Sequence, residues 1–310
     1  MAIRILEFFG YGPLDPSQPA QDARGSLGCP FIGDRCQKTL NDGAVSGACT
    51  VRQVLDETPV IVCPIRLYDK NYHALLEVAQ AAFGTDVRLL HPDTYAEVEH
   101  DGRNVVYFGK GVGKELKLPT VGGRGGFYVD WVLALIARDG SLAEFVAVEV
   151  QSIDTTGNYR VEREAYLRGE IPSASPGGIN WENVSKRILP QIIYKSHVLA
   201  LDRLCKGGLF FVCPGPVYRR IVARLGGNLR AYPRLGPNTI TFRWYDPSPA
   251  PLDGERRGLV WGGQFTTSVD QVALGFTAPA NLPPDNAFEG AIRRELQRIR
   301  AGRQPPGLFT

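Results

Sequence analysis

The 310-residue chain has no run of eighteen apolar residues, so no helix of membrane-spanning length is expected. A signal-peptide pattern is missing as well. Met1-Ala2-Ile3-Arg4-Ile5-Leu6-Glu7-Phe8-Phe9 carries charges inside its apolar stretch, and the expected compartment is the cytoplasm. Strong charge of either sign is absent: 35 Lys and Arg against 32 Asp and Glu leave +3. That balance does not establish nucleic-acid binding, but it leaves room for a local basic surface around an acidic site. Histidine is scarce, and His73, His91, His100 and His197 form neither a metal-ligand spacing nor a Ser/His/Asp set. The glycine- and lysine-rich stretch 109–119 lacks the Walker spacing, with Glu115 where Ser or Thr would stand. Its composition suits a loop lying against a nucleic-acid backbone.

Also missing is the usual zinc knuckle, two cysteines separated by two residues. Of six cysteines, four nevertheless fall close together, at Cys29, Cys36, Cys49 and Cys63. In a cytoplasmic chain such a group reads as a metal site before it reads as two disulfides. Four thiolates close a coordination sphere, so its role is expected to be structural, with zinc or iron both admissible. Residues 1–70 are rich in Pro and Gly and lack enough periodic apolar positions for a core of their own, which is a further reason to expect such a staple. Cys205 and Cys213 lie in apolar segments and read as packing residues.

Beyond residue 70 the pattern is mixed α/β, with a central sheet flanked by helices. A helix is expected over 71–83, with Leu75, Leu76, Val78, Ala79 and Ala82 inward. Short strands follow at 87–90 and 104–108. A polar, Gly- and Pro-rich connection spans 152–180, and a long amphipathic helix spans 181–204 with a kink or break at Pro190. Then come a buried strand at 207–213, a helix at 217–225, a strand at 239–245, one or two strands within 259–274, a basic helix at 288–300 and a loose end from 303.

The chemistry concentrates in one hairpin. Residues 127–136 (FYVDWVLALI) and 144–151 (EFVAVEVQ) are apolar strands joined by the turn Arg138-Asp139-Gly140-Ser141. Alternation puts Glu149 and Gln151 on one face. A carboxylate within an apolar strand is costly to bury unless it is paired or binds a metal, so Asp130 and Glu149 are candidates to share one divalent cation. Their order is similar to the Asp…Glu-x-Lys of PD-(D/E)xK nucleases, with Gln in place of Lys. In such a site Mg²⁺ neutralises the phosphodiester and acidifies a water, while the third polar group orients that water. Gln does so by hydrogen bonding alone.

Taken together, the four cysteines, the Phe-Tyr-Val-Asp strand ending at Asp130 and the segment VEVQSIDTTGNY at 148–159 resemble the NotI-type restriction endonucleases, over about residues 25–215. The resemblance implies a PD-(D/E)xK restriction-endonuclease-like core at 71–310, with a four-cysteine metal lobe at 1–70. It implies a homodimeric type II enzyme that cuts double-stranded DNA at a GC-rich palindrome with Mg²⁺, beside a methyltransferase acting on the same site. It also implies structural iron at the cysteines, and Glu115 as a further active-site acid beside Asp130, Glu149 and Gln151. Asn158, Tyr159 and Arg160, in the loop leaving the catalytic strand, are candidate DNA contacts. Arg163, Arg168, Arg219, Arg220, Arg243, Arg256 and Arg257 are further candidates to read guanine. Three alternatives stay open: a repair or recombination nuclease of the same fold, a non-enzymatic metal-stapled DNA-binding protein, and a nucleotide-binding enzyme using residues 109–114.

Overall fold

Apolar residues in alternating positions build the central sheet, and a computed structural model describes it within residues 2–54, 58–118, 127–157 and 159–301. The chain begins with β1 (Ala2–Phe8) and α1 (Gln18–Ser26). A small hairpin follows, β2 (Gly28–Cys29) with β3 (Asp34–Arg35), then β4 (Ala48–Gln53) and β5 (Val60–Ile61). A 3₁₀ turn, Pro64–Tyr68, leads into α2 (Asp69–Phe83). Next come β6 (Arg88–Leu90), β7 (Asn104–Gly109), β8 (Trp131–Ile136) and β9 (Leu142–Val150). The connection after β9 holds β10 (Thr155–Thr156), α3 (Arg160–Leu167), β11 (Ser175–Pro176) and β12 (Gly178–Ile179). A π-helical turn, Val184–Ile188, runs into α4 (Leu189–Leu199), and β13 (Leu209–Pro214), α5 (Gly215–Arg224), β14 (Thr239–Pro247), β15 (Leu259–Ser268), α6 (Val269–Thr277) and α7 (Ala287–Arg300) complete the described chain. No helix among the described residues is long and apolar enough to cross a membrane.

Seven strands form the main sheet in the order β15-β14-β13-β9-β8-β7-β6. It is mixed: β9 pairs antiparallel with β8 and parallel with β13. Alternation assigns its two faces. Ala147, Phe211, Cys213 and Phe242 face one core with Leu189, Ile192 and Leu199 of α4. Val146, Val148, Val150, Phe210 and Val212 face the other with Leu75, Val78 and Ala79 of α2. The expected packing roles of Cys205 and Cys213 hold, since both are fully buried.

Several elements differ from the sequence reading. Asp130 is not in the middle of a strand: β8 starts at Trp131, and Asp130 occupies the bend before it. The helix expected over 181–204 is shorter and divided, because Pro190 lacks an N–H and takes the first turn of α4 after the π-helical turn. The span 259–274 holds one strand, within the one or two expected, but ends in an unexpected helix: the Ser268 hydroxyl caps α6 by accepting from Gln271 N–H. The polar connection 152–180 contains a full helix, α3, whose Ala165 and Tyr166 are buried. At the start of α2, Lys70, Asn71 and Tyr72 are left-handed, with regular helix only after them.

Residues 1–70 are not packed by themselves. β1 pairs with β4 and with β11, from beyond residue 170, and Ile3, Ile5, Phe8, Phe9 and Val51 share the core of the main sheet's α4 face. Apolar burial that the segment cannot supply alone thus comes from the rest of the chain. One buried cluster clamps the join. Arg66, fully buried, donates from Nε to both Glu7 carboxylate oxygens at 2.8 and 2.9 Å, and Thr50 Oγ1 donates to Glu7 Oε2 at 2.7 Å. The other Arg66 nitrogens reach the Arg257 and Gly258 carbonyls near β15 and, at 3.5 Å, the Asp69 carboxylate. Removing one partner strands a buried charge, so Arg66→Met is expected to cost about 3–5 kcal/mol in urea unfolding. The Glu7→Met/Arg66→Met double variant is expected to cost clearly less than the two single changes together; simple additivity would show that the pair is not coupled.

Candidate active site

The expected hairpin is present. Trp131 pairs with Val148, so the next antiparallel pair outward aligns Asp130 with Glu149. The turn is fixed by Ala137 and Gly140, whose N–H groups donate to Ser141 and Ala137 carbonyls, and by Asp139, which accepts from Ser141 N and Oγ. Asp130 Oδ2 accepts the Val150 N–H at 2.9 Å, which takes up the strand-end donor and leaves Oδ1 over. Glu149 is 6 % exposed. Burial and then the neighbouring Asp130 charge push its carboxyl up to about 7. Burial likewise raises Asp130, and Glu115 adds to the rise. These are the electrostatic marks of carboxylates brought together out of water.

Lys195 is the site residue that sequence reasoning misses. Its Nζ donates to Glu149 Oε1 at 2.6 Å, and its side chain is buried. Alternation explains the encounter: Glu149 shares the face of Ala147, against which α4 packs. The available signal is a lysine three residues after Ile192 and four before Leu199, on the apolar stripe of an expected amphipathic helix.

Asp130 opens into a cleft of about 580 Å³ whose walls include Lys38, Cys63, Tyr68, Tyr72, Lys110 and Trp131. Segment 1–70 therefore forms one side of the cleft onto which Asp130 opens. Glu115 is half-buried, and its charge reaches Asp130. Gln151 turns elsewhere. Its Nε2 donates to the Ser152 carbonyl at 3.2 Å, and it lines a small crevice with Asn183, Arg187 and Gln191. Gly109, at the head of the 109–118 loop, has a packing reason: a Cβ there would lie 2.4 Å from the Trp131 ring and 2.5 Å from the Asp130 carbonyl.

Among the other candidate contacts, Tyr159 is buried and its hydroxyl pairs with Ser46 Oγ at 2.8 Å, so it holds the N-terminal segment rather than facing a ligand. Arg160 pairs with Asp42, and Asn158 lies outside the described residues. Arg163 donates to the Val45 carbonyl and Arg256 to that of Pro30, whereas Arg219 and Arg220 are exposed.

The β2–β3 hairpin carries Cys29 and leads directly to Cys36, whose N–H donates to the Leu27 carbonyl. Val62 N–H donates to the Cys49 carbonyl, which brings Cys63 beside β4. Cys29 and Cys49 are buried in a cluster that Cys36 flanks. Burial pushes the Cys29 thiol up to about 11, with Cys63 and Cys36 adding, and raises Cys49 and Cys63 as well. Among the described residues, no three His, Cys, Asp or Glu side chains converge tightly enough as they stand to hold an ion. As a donor set, the four thiols suit a thiophilic ion, and the neighbouring carboxylates of Asp130 and Glu149 suit a hard one.

Comparison with known families matches residues 16–206 to the family described as restriction endonuclease NotI. No curated protein matches the chain. The matched span covers more than half of the sequence and contains the four cysteines, Glu115, Asp130, Glu149, Gln151 and Lys195. This chain belongs to the NotI restriction endonuclease family, a family of site-specific deoxyribonucleases acting on double-stranded DNA.

Proposed function

We propose that the protein is a type II restriction endonuclease that hydrolyses both strands of a GC-rich palindrome as a homodimer with Mg²⁺, leaving 5′-phosphate and 3′-hydroxyl ends. The observation that carries this reading is the carboxylate pair of half-buried Asp130 and buried Glu149 at the mouth of the β8–β9 hairpin, within the span matched to the family. Asp130, through Oδ1, and the Glu149 carboxylate would hold a divalent cation. When bound, Mg²⁺ supplies positive charge against the phosphodiester and lowers the pKa of a water. Glu115 supports this centre from the 109–118 loop. Gln151 orients the attacking water, for which its amide must leave the Ser152 carbonyl. In-line attack on phosphorus expels the 3′ oxygen, which takes up a proton from solvent. A palindromic target suits a two-fold dimer in which each subunit reads one half-site. A methyltransferase of the same specificity would protect host DNA. Cys29, Cys36, Cys49 and Cys63 hold a structural iron, or zinc, that stiffens the wall of the cleft; the charge that Cys29, Cys49 and Cys63 would each feel from others of the four supports this grouping.

Three outcomes test this reading. Incubation with a large GC-rich DNA and Mg²⁺ is expected to give discrete fragments, whose sequenced ends define the site. Asp130→Ala should then slow single-turnover cleavage on the order of a thousandfold or more while retaining DNA binding in Ca²⁺. Random ends from the parent protein, or cleavage by Asp130→Ala near the parent rate, would overturn it.

The raised Glu149 carboxyl sets a pH dependence. Its folded pKa lies above the ordinary value of 4.5, so its contribution to stability without metal is complete below that pH and is lost as pH rises through about 7. A cation must displace the same proton. Mn²⁺ affinity is therefore expected to climb about tenfold per pH unit toward 7 and level off above it. Titration by electron paramagnetic resonance, with Glu149→Gln as the control, checks this; an affinity flat from pH 5 to 8 removes Glu149 from the ligand set.

Elemental analysis of purified protein should find about one iron or zinc per chain, diminished in Cys49→Ser with a lower melting temperature. Metal-free protein with four titratable native thiols and an unchanged melting temperature would remove the staple.

A further inference from the structure

Lys195 and Glu149 are respectively 5 % and 6 % exposed, and their 2.6 Å contact lies at the centre of the fold. Packing alone gives no reason for a lysine there. The neighbouring positions on the same stripe of α4, Leu189, Ile192 and Leu199, are apolar, and replacing a buried ion pair with apolar side chains is often neutral or stabilising. The contact ties down Oε1 of the Glu149 carboxylate, and the Asp130 backbone N–H lies against the same group. Gln151, where the resembling nucleases carry lysine, brings no charge and is bonded to the Ser152 carbonyl.

We propose that Lys195 supplies from α4 the positive charge that the Glu-Val-Gln sequence at 149–151 lacks, holding Glu149 so that a single carboxylate oxygen faces the cation. The Lys195 ammonium, with that of Lys110, offsets part of the negative charge of Glu115, Asp130 and Glu149. Lys195 is a positioning residue in this scheme. It acts through Glu149, keeps the carboxylate from closing on the metal with both oxygens, and leaves coordination positions to water and phosphate. This inference rests on the nuclease reading of Asp130 and Glu149.

The test separates the two. Lys195→Met removes a repelling charge and frees Oε1, so Mn²⁺ should bind roughly tenfold more tightly. The single-turnover cleavage rate should fall on the order of a hundredfold, with DNA affinity in Ca²⁺ unchanged. Lys195→Arg is expected to restore part of both. Tighter metal with slower cutting is a signature that a merely structural ion pair does not produce. Lys195→Gln, which keeps a hydrogen bond to Glu149 without the charge, carries the same expectation if the methionine variant fails to fold by circular dichroism. Parent-like Mn²⁺ affinity and rate in a folded Lys195 variant, beside an inactive Asp130→Ala, overturn the role of Lys195 and leave the nuclease reading standing. An active Asp130→Ala overturns both.

Discussion

Two carboxylates held next to each other away from water repel, and the fold around them answers that repulsion. Asp130 and Glu149 have their carboxyl groups raised by burial, Glu149 also by the charge of Asp130 and Asp130 by that of Glu115. The protein answers with directed hydrogen-bond donors: the Val150 N–H on Asp130 and the Lys195 ammonium on Glu149. Each demands a large part of the architecture. The first needs the β8–β9 hairpin in register; the second needs α4 seated on the same face of the sheet. A carboxylate pair that the chain keeps only partly neutralised ties the stability of the fold to the charge state of these two side chains.

The hairpin is legible in the sequence because its signals are local: two apolar runs, a Gly-containing turn and period-two alternation that sets Glu149 against its apolar neighbours. Lys195 is not, since 46 residues separate it from Glu149 and a helical apolar pattern absorbs a single lysine without breaking. Position 130 reads as mid-strand because its neighbours are apolar on both sides; only the hydrogen bond to Val150 N–H reveals a side chain ending the ladder. The glycines and prolines that flank α3 hide it. α6 carries a readable cap in Ser268, outweighed by the apolar residues of the helix itself. The left-handed Lys70-Asn71-Tyr72 turn has no sequence signature beyond its single asparagine.

Segment 1–70 combines both kinds of information. Its lack of a periodic core is readable, but the remedy is only partly so. Cys29, Cys36 and Cys49 meet in one small cluster, while apolar burial and the Arg66–Glu7 clamp join the segment to the main body. That join matters because Cys63, Lys38 and Tyr68 form part of the wall of the cleft at Asp130.

The strand order has a consequence for the cell that makes this protein. β9, which carries Glu149, is flanked on one side by β8 and on the other by β13, a strand that begins 58 residues after Gln151 at Leu209. A nascent or truncated chain that stops short of Leu209 leaves β9 as an open edge, and one that stops before α4 lacks Lys195 altogether. The site is thus assembled only once the chain has been made through β13. In a site-specific deoxyribonuclease, this topology withholds the complete acidic site until α4 and β13 are both in place.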